Sequence, residues 1–153
     1  MRKIGLIILS LLVTTPNFAS GQSELLQAMA EFDKNYIPAL ALTNQGKQPQ
    51  SVHAIRRLRT DWAQFKISYQ NGNGSDSQQW QQDVQAIEEQ ITQAQNQINL
   101  KELADAHESL ERIRYLFMDM RQRNGIEYYM DYLTRFHEPM EEIVMLAAQA
   151  ENR

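Results

Sequence analysis

The chain has 153 residues, 15 of them basic and 19 acidic, no cysteine, and a formal net charge of −4. Without cysteine there is no disulfide framework, no thiolate metal site and no CxxCH haem attachment. The acidic balance argues against nucleic acid and anionic lipid as main partners.

The N-terminus reads as an export signal. Arg2 and Lys3 precede an apolar stretch from Ile4 to Val13, followed by the helix breaker Pro16 and the small residues Ala19, Ser20 and Gly21. A run of about ten apolar residues falls short of the roughly 20 that a spanning helix needs. Ala19 and Gly21 meet the small-residue requirement of a cleavage site. Cleavage is therefore expected after Gly21, giving a signal peptide over 1–21 and a single mature domain over 22–153; a cut after Ala19 is the alternative. Removing Arg2 and Lys3 leaves 13 basic against 19 acidic residues, or −6. Export, absence of cysteine and heavy glutamine usage point to a Gram-negative periplasm. No second apolar run of spanning length follows, so the mature chain is expected to be soluble, without a membrane span.

Beyond the signal, apolar residues recur at alternating steps of three and four, the seam of helices packed in a left-handed bundle. Helix 1 is predicted over Ser23–Leu42, with Leu25, Met29, Phe32, Tyr36 and Ala39 on its seam and Pro38 expected to kink or shorten it. A loop over Thr43–Gln50 follows. Helix 2 is expected to begin at Ser51 as N-cap and carries Ile55, Leu58, Trp62, Phe65 and Tyr69. Gln70–Ser77 is the strongest breaker. Helix 3 carries Trp80, Val84, Ile87, Ile91, Ala94 and Ile98. Asn99 with Glu102 suggests a capping box for helix 4, whose seam is Leu103, Ala106, Leu110, Ile113, Phe117 and Met120. Asn124-Gly125 is a helix stop. Helix 5, over 126–150, carries Tyr129, Leu133, Phe136, Met140, Ile143 and Ala147. No segment shows a sustained period of two.

The predicted fold is all-α: an antiparallel up-down bundle built from αα-hairpins over 23–70 and 76–123, plus a fifth, C-terminal helix. Over residues 23–123 this layout resembles small periplasmic four-helix bundles of the cytochrome b562 and cytochrome c′ types. The resemblance implies non-covalent haem binding, with Met29 standing where the b562 type places its methionine ligand and one histidine as the other axial ligand. The sequence departs from that pattern at the end of helix 4, where Met118–Arg123 holds no histidine.

The most informative feature is a doubled pentad. His107-Glu108-Ser109-Leu110-Glu111 and His137-Glu138-Pro139-Met140-Glu141 share the pattern His-Glu-x-x-Glu in the same seam register. Each His lies four residues from its last Glu, on one helical face. If the chain reverses at Asn124-Gly125, both pentads fall at one height on adjacent helices. His107, Glu108, Glu111, His137, Glu138 and Glu141 are thus the candidate metal ligands, a nitrogen and oxygen set suited to zinc or iron. Methionines concentrated in helices 4 and 5 add copper to the candidates. The bland reading of the same residues is a set of interhelical ion pairs. His53, among Arg56, Arg57 and Arg59, reads as a surface residue. No Gly-rich phosphate loop and no nucleophile paired with a base is recognisable, so catalysis is not expected. The reading that needs no cofactor is an interaction or adaptor module that binds a periplasmic protein or a second copy of itself through a bundle face or helix 5.

Overall fold

The computed structural model describes residues 18–70, 72 and 77–151. Residues 1–17, most of the signal peptide expected over 1–21, lie outside the described residues. Five helices follow in order: α1 (Phe18–Asn44), α2 (Gln48–Ser68), α3 (Ser77–Leu100), α4 (Leu103–Arg123) and α5 (Tyr129–Glu151). The chain is all-helical, as the spacing of its apolar residues predicts. α1 pairs with α2 and α3 with α4, and the hairpins close through α1 against α4 and α2 against α3. Polar contacts at both ends fix the alternation of direction. At one end Gln22 Nε2 donates to the Asn124 carbonyl at 3.0 Å, and Arg123 pairs with Asp83. At the other, Gln48 Nε2 donates to the Ile98 carbonyl.

The seam residues of the first four helices form the core. Leu25, Met29, Ile55, Leu58, Trp62, Ile87, Ile91, Ile98, Leu110, Ile113 and Met120 are all essentially inaccessible. The centre is aromatic: Phe32 meets Trp62 edge-on and Phe117 tilted, with ring centroids 5.8 and 5.0 Å apart, and Trp62 stacks on Phe65 at 5.3 Å. These arrangements suit ring quadrupoles and add to the area buried. The Tyr36 hydroxyl donates to the Leu110 carbonyl at 2.8 Å, tying α1 to α4 inside the core.

Several boundaries differ from expectation for physical reasons. α1 begins at Phe18, ahead of the expected cleavage point, and continues through Pro38 to Asn44. The loop after it is only three residues long, because α2 starts at Gln48 with Pro49 in its first turn, where a missing N–H costs nothing. Ser51 is therefore no N-cap: it is buried within α2 and its hydroxyl donates to the Lys47 carbonyl at 2.9 Å. Asn99 likewise lies inside α3, and the residue preceding α4 is Glu102, without a side-chain cap.

The three described hairpin turns share one device. After α3, the Glu102 amide donates to the Gln97 carbonyl and the Lys101 amide to Ile98, at 2.9 and 3.1 Å, with Lys101 at φ +67°. Gly46 after α1 and Gly125 after α4 occupy the same position in the same bonding pattern, at φ +67° and +65°. This is the Schellman termination, which satisfies the last helical carbonyls through a left-handed residue. Gly72 serves differently: a Cβ there would lie 2.6 Å from the Trp80 ring.

Candidate functional site

The chain reverses at Asn124-Gly125, the condition on which the two pentads could share one height, and α5 turns back beside a groove that it shares with α1 and α4. Its anchorage is ionic. Arg121, nearly the last residue of α4, is 5% exposed in its side chain, and its Nε donates to Asp131 Oδ2 at 2.9 Å and Oδ1 at 3.2 Å. The guanidinium also lies over the Tyr128 ring, 4.7 Å from its centroid, and Nη1 approaches Met29 Sδ at 3.9 Å. The Tyr128 hydroxyl in turn donates to Asp33 Oδ2 on α1 at 2.8 Å. Burial raises the Asp33 carboxyl above the usual aspartate range against the lowering effect of that bond and of Arg121. Burial and the Asp33 carboxylate together push the Tyr128 phenol up to about 12. Each charge in this network faces an opposite charge or a donor, which keeps a guanidinium tolerable inside a bundle.

α5 consequently docks with its polar side. Asp131 and Thr134 are 8% and 3% exposed, whereas the residues expected to be its core seam face outward: Tyr129 is 72% exposed, Leu133 47%, Phe136 67%, Met140 43% and Ile143 66%. The expected burial of this seam is thus corrected. One helical turn separates Asp131 from Thr134 on the inner side, and the apolar stripe lies on roughly the opposite side of the helix. Val144 and Leu146 extend it, both more than half exposed. Along one edge of α5 runs a groove of about 370 Å3, walled by Tyr36 and Ile37 of α1, Arg114 and Phe117 of α4, and Leu133, His137 and Met140 of α5.

Of the six candidate metal ligands, His107, Glu108, Glu111 and His137 have described side chains, and the two histidines lie in different surroundings. His107 faces α1 rather than α5. Its Nδ1 lies 3.2 Å from the Leu40 carbonyl and 3.5 Å from Thr43 Oγ1, and that hydroxyl already donates to the carbonyls of Ala39 and Leu40. A carbonyl oxygen can only accept, so Nδ1 carries the proton, and Nε2 faces Glu111 Oε1 at 3.7 Å. Glu111 Oε1 also accepts from Arg114 Nη2 at 3.2 Å, whereas its Oε2 is buried without a hydrogen-bond partner. Glu108 is exposed. His137 lines the groove, level with Tyr36 and Arg114. The side chains of Glu138 and Glu141 lie outside the described residues. Among the described residues no group of three or more His, Asp or Glu side chains converges as a metal cage. The pentads share a register in sequence, but α4 turns its His107 flank toward α1.

Met29 is a core residue beside Arg121, and His107 sits at Leu40, eleven residues further along α1. At 1.5 Å per residue that is about 16 Å, which places the two at different levels of the bundle.

The anchor Arg121–Asp131–Tyr128–Asp33 had no periodic signature, since its members come from three segments. The available signal was the pair of polar residues, Asp131 and Thr134, on the side of α5 away from its apolar stripe. Among the described residues no helix is long and apolar enough to cross a membrane. No family model, curated protein or solved structure matches this chain.

Proposed function

We propose that this chain is an exported, periplasmic helical-bundle interaction module, in which α1–α4 form the scaffold and the outward apolar face of α5 is the working surface. One observation carries the reading: α5 is ion-paired to the bundle through its polar side and presents a continuous stripe of large apolar side chains to the outside. A monomer rarely exposes more than about 300–600 Å2 of contiguous apolar surface without a binding role. Export is supported by the basic residues, short apolar run and small residues of positions 1–21. The test is site-specific photo-crosslinking in an exporting Gram-negative host, with a benzophenone side chain at position 136 and a control at exposed Gln93 on α3. Adducts at 136 and not at 93 are expected; equal or absent labelling overturns the reading.

A second reading, a transition-metal site, rests on the His107–Glu111 pair. With Nδ1–H directed at the Leu40 carbonyl, Nε2 is the ring nitrogen that faces Glu111 Oε1, at 3.7 Å, so a nitrogen and a carboxylate oxygen already share one edge where a cation could be held. His107 and Glu111 would be the first ligands, with Glu108, His137, Glu138 and Glu141 completing the set after side-chain or helix rearrangement. Calorimetric titration with zinc, iron(II) and copper decides it: binding near one equivalent that His107→Ala abolishes supports the site, and no heat for any metal removes it.

A further inference from the structure

Resting on the docking role proposed for α5, we infer that the surface covering its apolar face is α5 of a second copy of this chain, packed antiparallel across a two-fold axis. Three observations converge on that occupant.

The first is periodicity. Tyr129, Leu133, Phe136, Met140, Ile143 and Ala147 recur at steps of four and three along nearly all of α5. A period of 3.5 residues is the seam of a helix paired with another helix, where each side chain fits between side chains of the partner. An extended peptide imposes no such period; a helix lying on lipid has one close to it, and the layer-by-layer match below is what favours a second helix. The second is self-complementarity. Laid antiparallel about residue 138, two copies of the stripe match at every layer: Tyr129 meets Ala147 of the second copy, Leu133 meets Ile143, and Phe136 meets Met140. The bulkiest seam residue falls opposite the smallest, and no charge enters the seam. Among the described residues, the other large apolar side chains exposed on the surface are Ile37, Ile67 and Leu100, one on each of three helices. No second apolar stripe is therefore present among the described residues, so the interface between copies that they support is isologous, α5 against α5.

The third is area. Nine large apolar side chains of α5 are more than a third exposed, and together they offer on the order of 900 Å2 per copy, against the roughly 800 Å2 per partner of a stable interface. The geometry permits the approach, because the Asp131–Arg121 anchor holds the inner side of α5, and Leu133, Phe136 and Met140, at the rim of the groove shared with α1 and α4, stay 47%, 67% and 43% exposed.

The test uses the full chain and the photo-reactive side chain at position 136. An adduct of twice the chain's mass, with the link mapped to the peptide holding Met140, supports the inference. An adduct to another protein or to lipid overturns it while leaving α5 a docking surface; no adduct removes both. Cysteine pairing fixes the orientation, since the chain has no cysteine of its own. An equal mixture of Leu133→Cys and Ile143→Cys chains should form disulfide at least about 10-fold faster than either variant alone. Each variant linking to itself as fast as the mixture overturns the antiparallel arrangement. Finally, Phe136→Glu with Ile143→Glu should raise the dimer dissociation constant at least about 100-fold. Because both side chains are exposed on the single chain, its melting measured below the dissociation constant should stay unchanged. Unchanged association of the double variant overturns the inference.

Discussion

Replacing Asp131 by Ala removes the counter-ion of a guanidinium that is almost wholly buried. Breaking a buried pair from one side costs about 3–5 kcal/mol when the orphaned charge stays buried. Two features of this site reduce that figure. Arg121 keeps its contact with the Tyr128 ring and the nearby Asp33 carboxylate. α5 can also lift away, exposing Arg121 to water, so the loss is capped by the cost of undocking one lightly held helix. A destabilisation of about 2–3 kcal/mol is expected, or roughly 6–10 °C in Tm for a domain of this size. Urea unfolding at pH 7, followed by the fluorescence of core residues Trp62 and Trp80, measures it, and amide hydrogen exchange along α5 should rise in the same variant. Replacing both partners with apolar residues, Arg121→Met with Asp131→Leu, should recover at least half of the loss, since no charge is then left behind. A single variant that loses less than about 0.5 kcal/mol, or a double variant as weak as the single one, refutes the reasoning.

Lys101 is the one described non-glycine residue with positive φ, and Lys101→Gly should stabilise the bundle by about 1 kcal/mol in thermal melts by relieving the left-handed strain; destabilisation would contradict the termination described for α3. Glu88 is pushed up by burial but held below the usual glutamate range overall by Lys66, the Trp62 N–H and Arg59. A lowered folded-state pKa gives stability that is complete above the unfolded pKa and lost as pH falls through the folded one. Glu88→Gln should thus cost about 1 kcal/mol at pH 7, and the gap from the parent should close below about pH 4; a pH-independent gap contradicts this. Asp33 works in the opposite sense: its raised pKa makes the folded state bind the proton more tightly, so its contribution improves as pH falls. Asp33→Asn should flatten that trend in a pH series of urea midpoints, and an unchanged slope would contradict it.

Much of the bundle was legible because a stripe at steps of three and four has few uses other than burial. Ile87, Ile91, Ala94 and Ile98 on α3, and Ala106, Leu110, Ile113 and Phe117 on α4, are buried as the pattern implies. The same logic misplaced α5. A periodic stripe shows that a face needs a packing partner but not that the same bundle supplies it, and Asp131 with Arg121 decides that it does not. Turn chemistry misled where a side chain offered a familiar cap. Ser51 and Asn99 have the right composition, but Pro49 begins α2 early and Lys101 accepts a left-handed conformation that favours glycine. The doubled His/Glu pentads were legible as a repeat, and the helix after Gly125 does turn back. Which neighbour each pentad faces depends on the rotation of α4, and that is set by its core stripe packing on α1 and α3. His107 accordingly meets Leu40 and Thr43.

The most direct measurement is the thermal unfolding and sedimentation of a chain ending at Tyr128, beside the full chain. With α5 an appended docking element, the shortened chain should still melt cooperatively, about 10 °C below the full-length protein, and sediment as a monomer at every concentration. A shortened chain that loses its cooperative transition would make α5 part of the core, and one that still self-associates would place the working surface elsewhere.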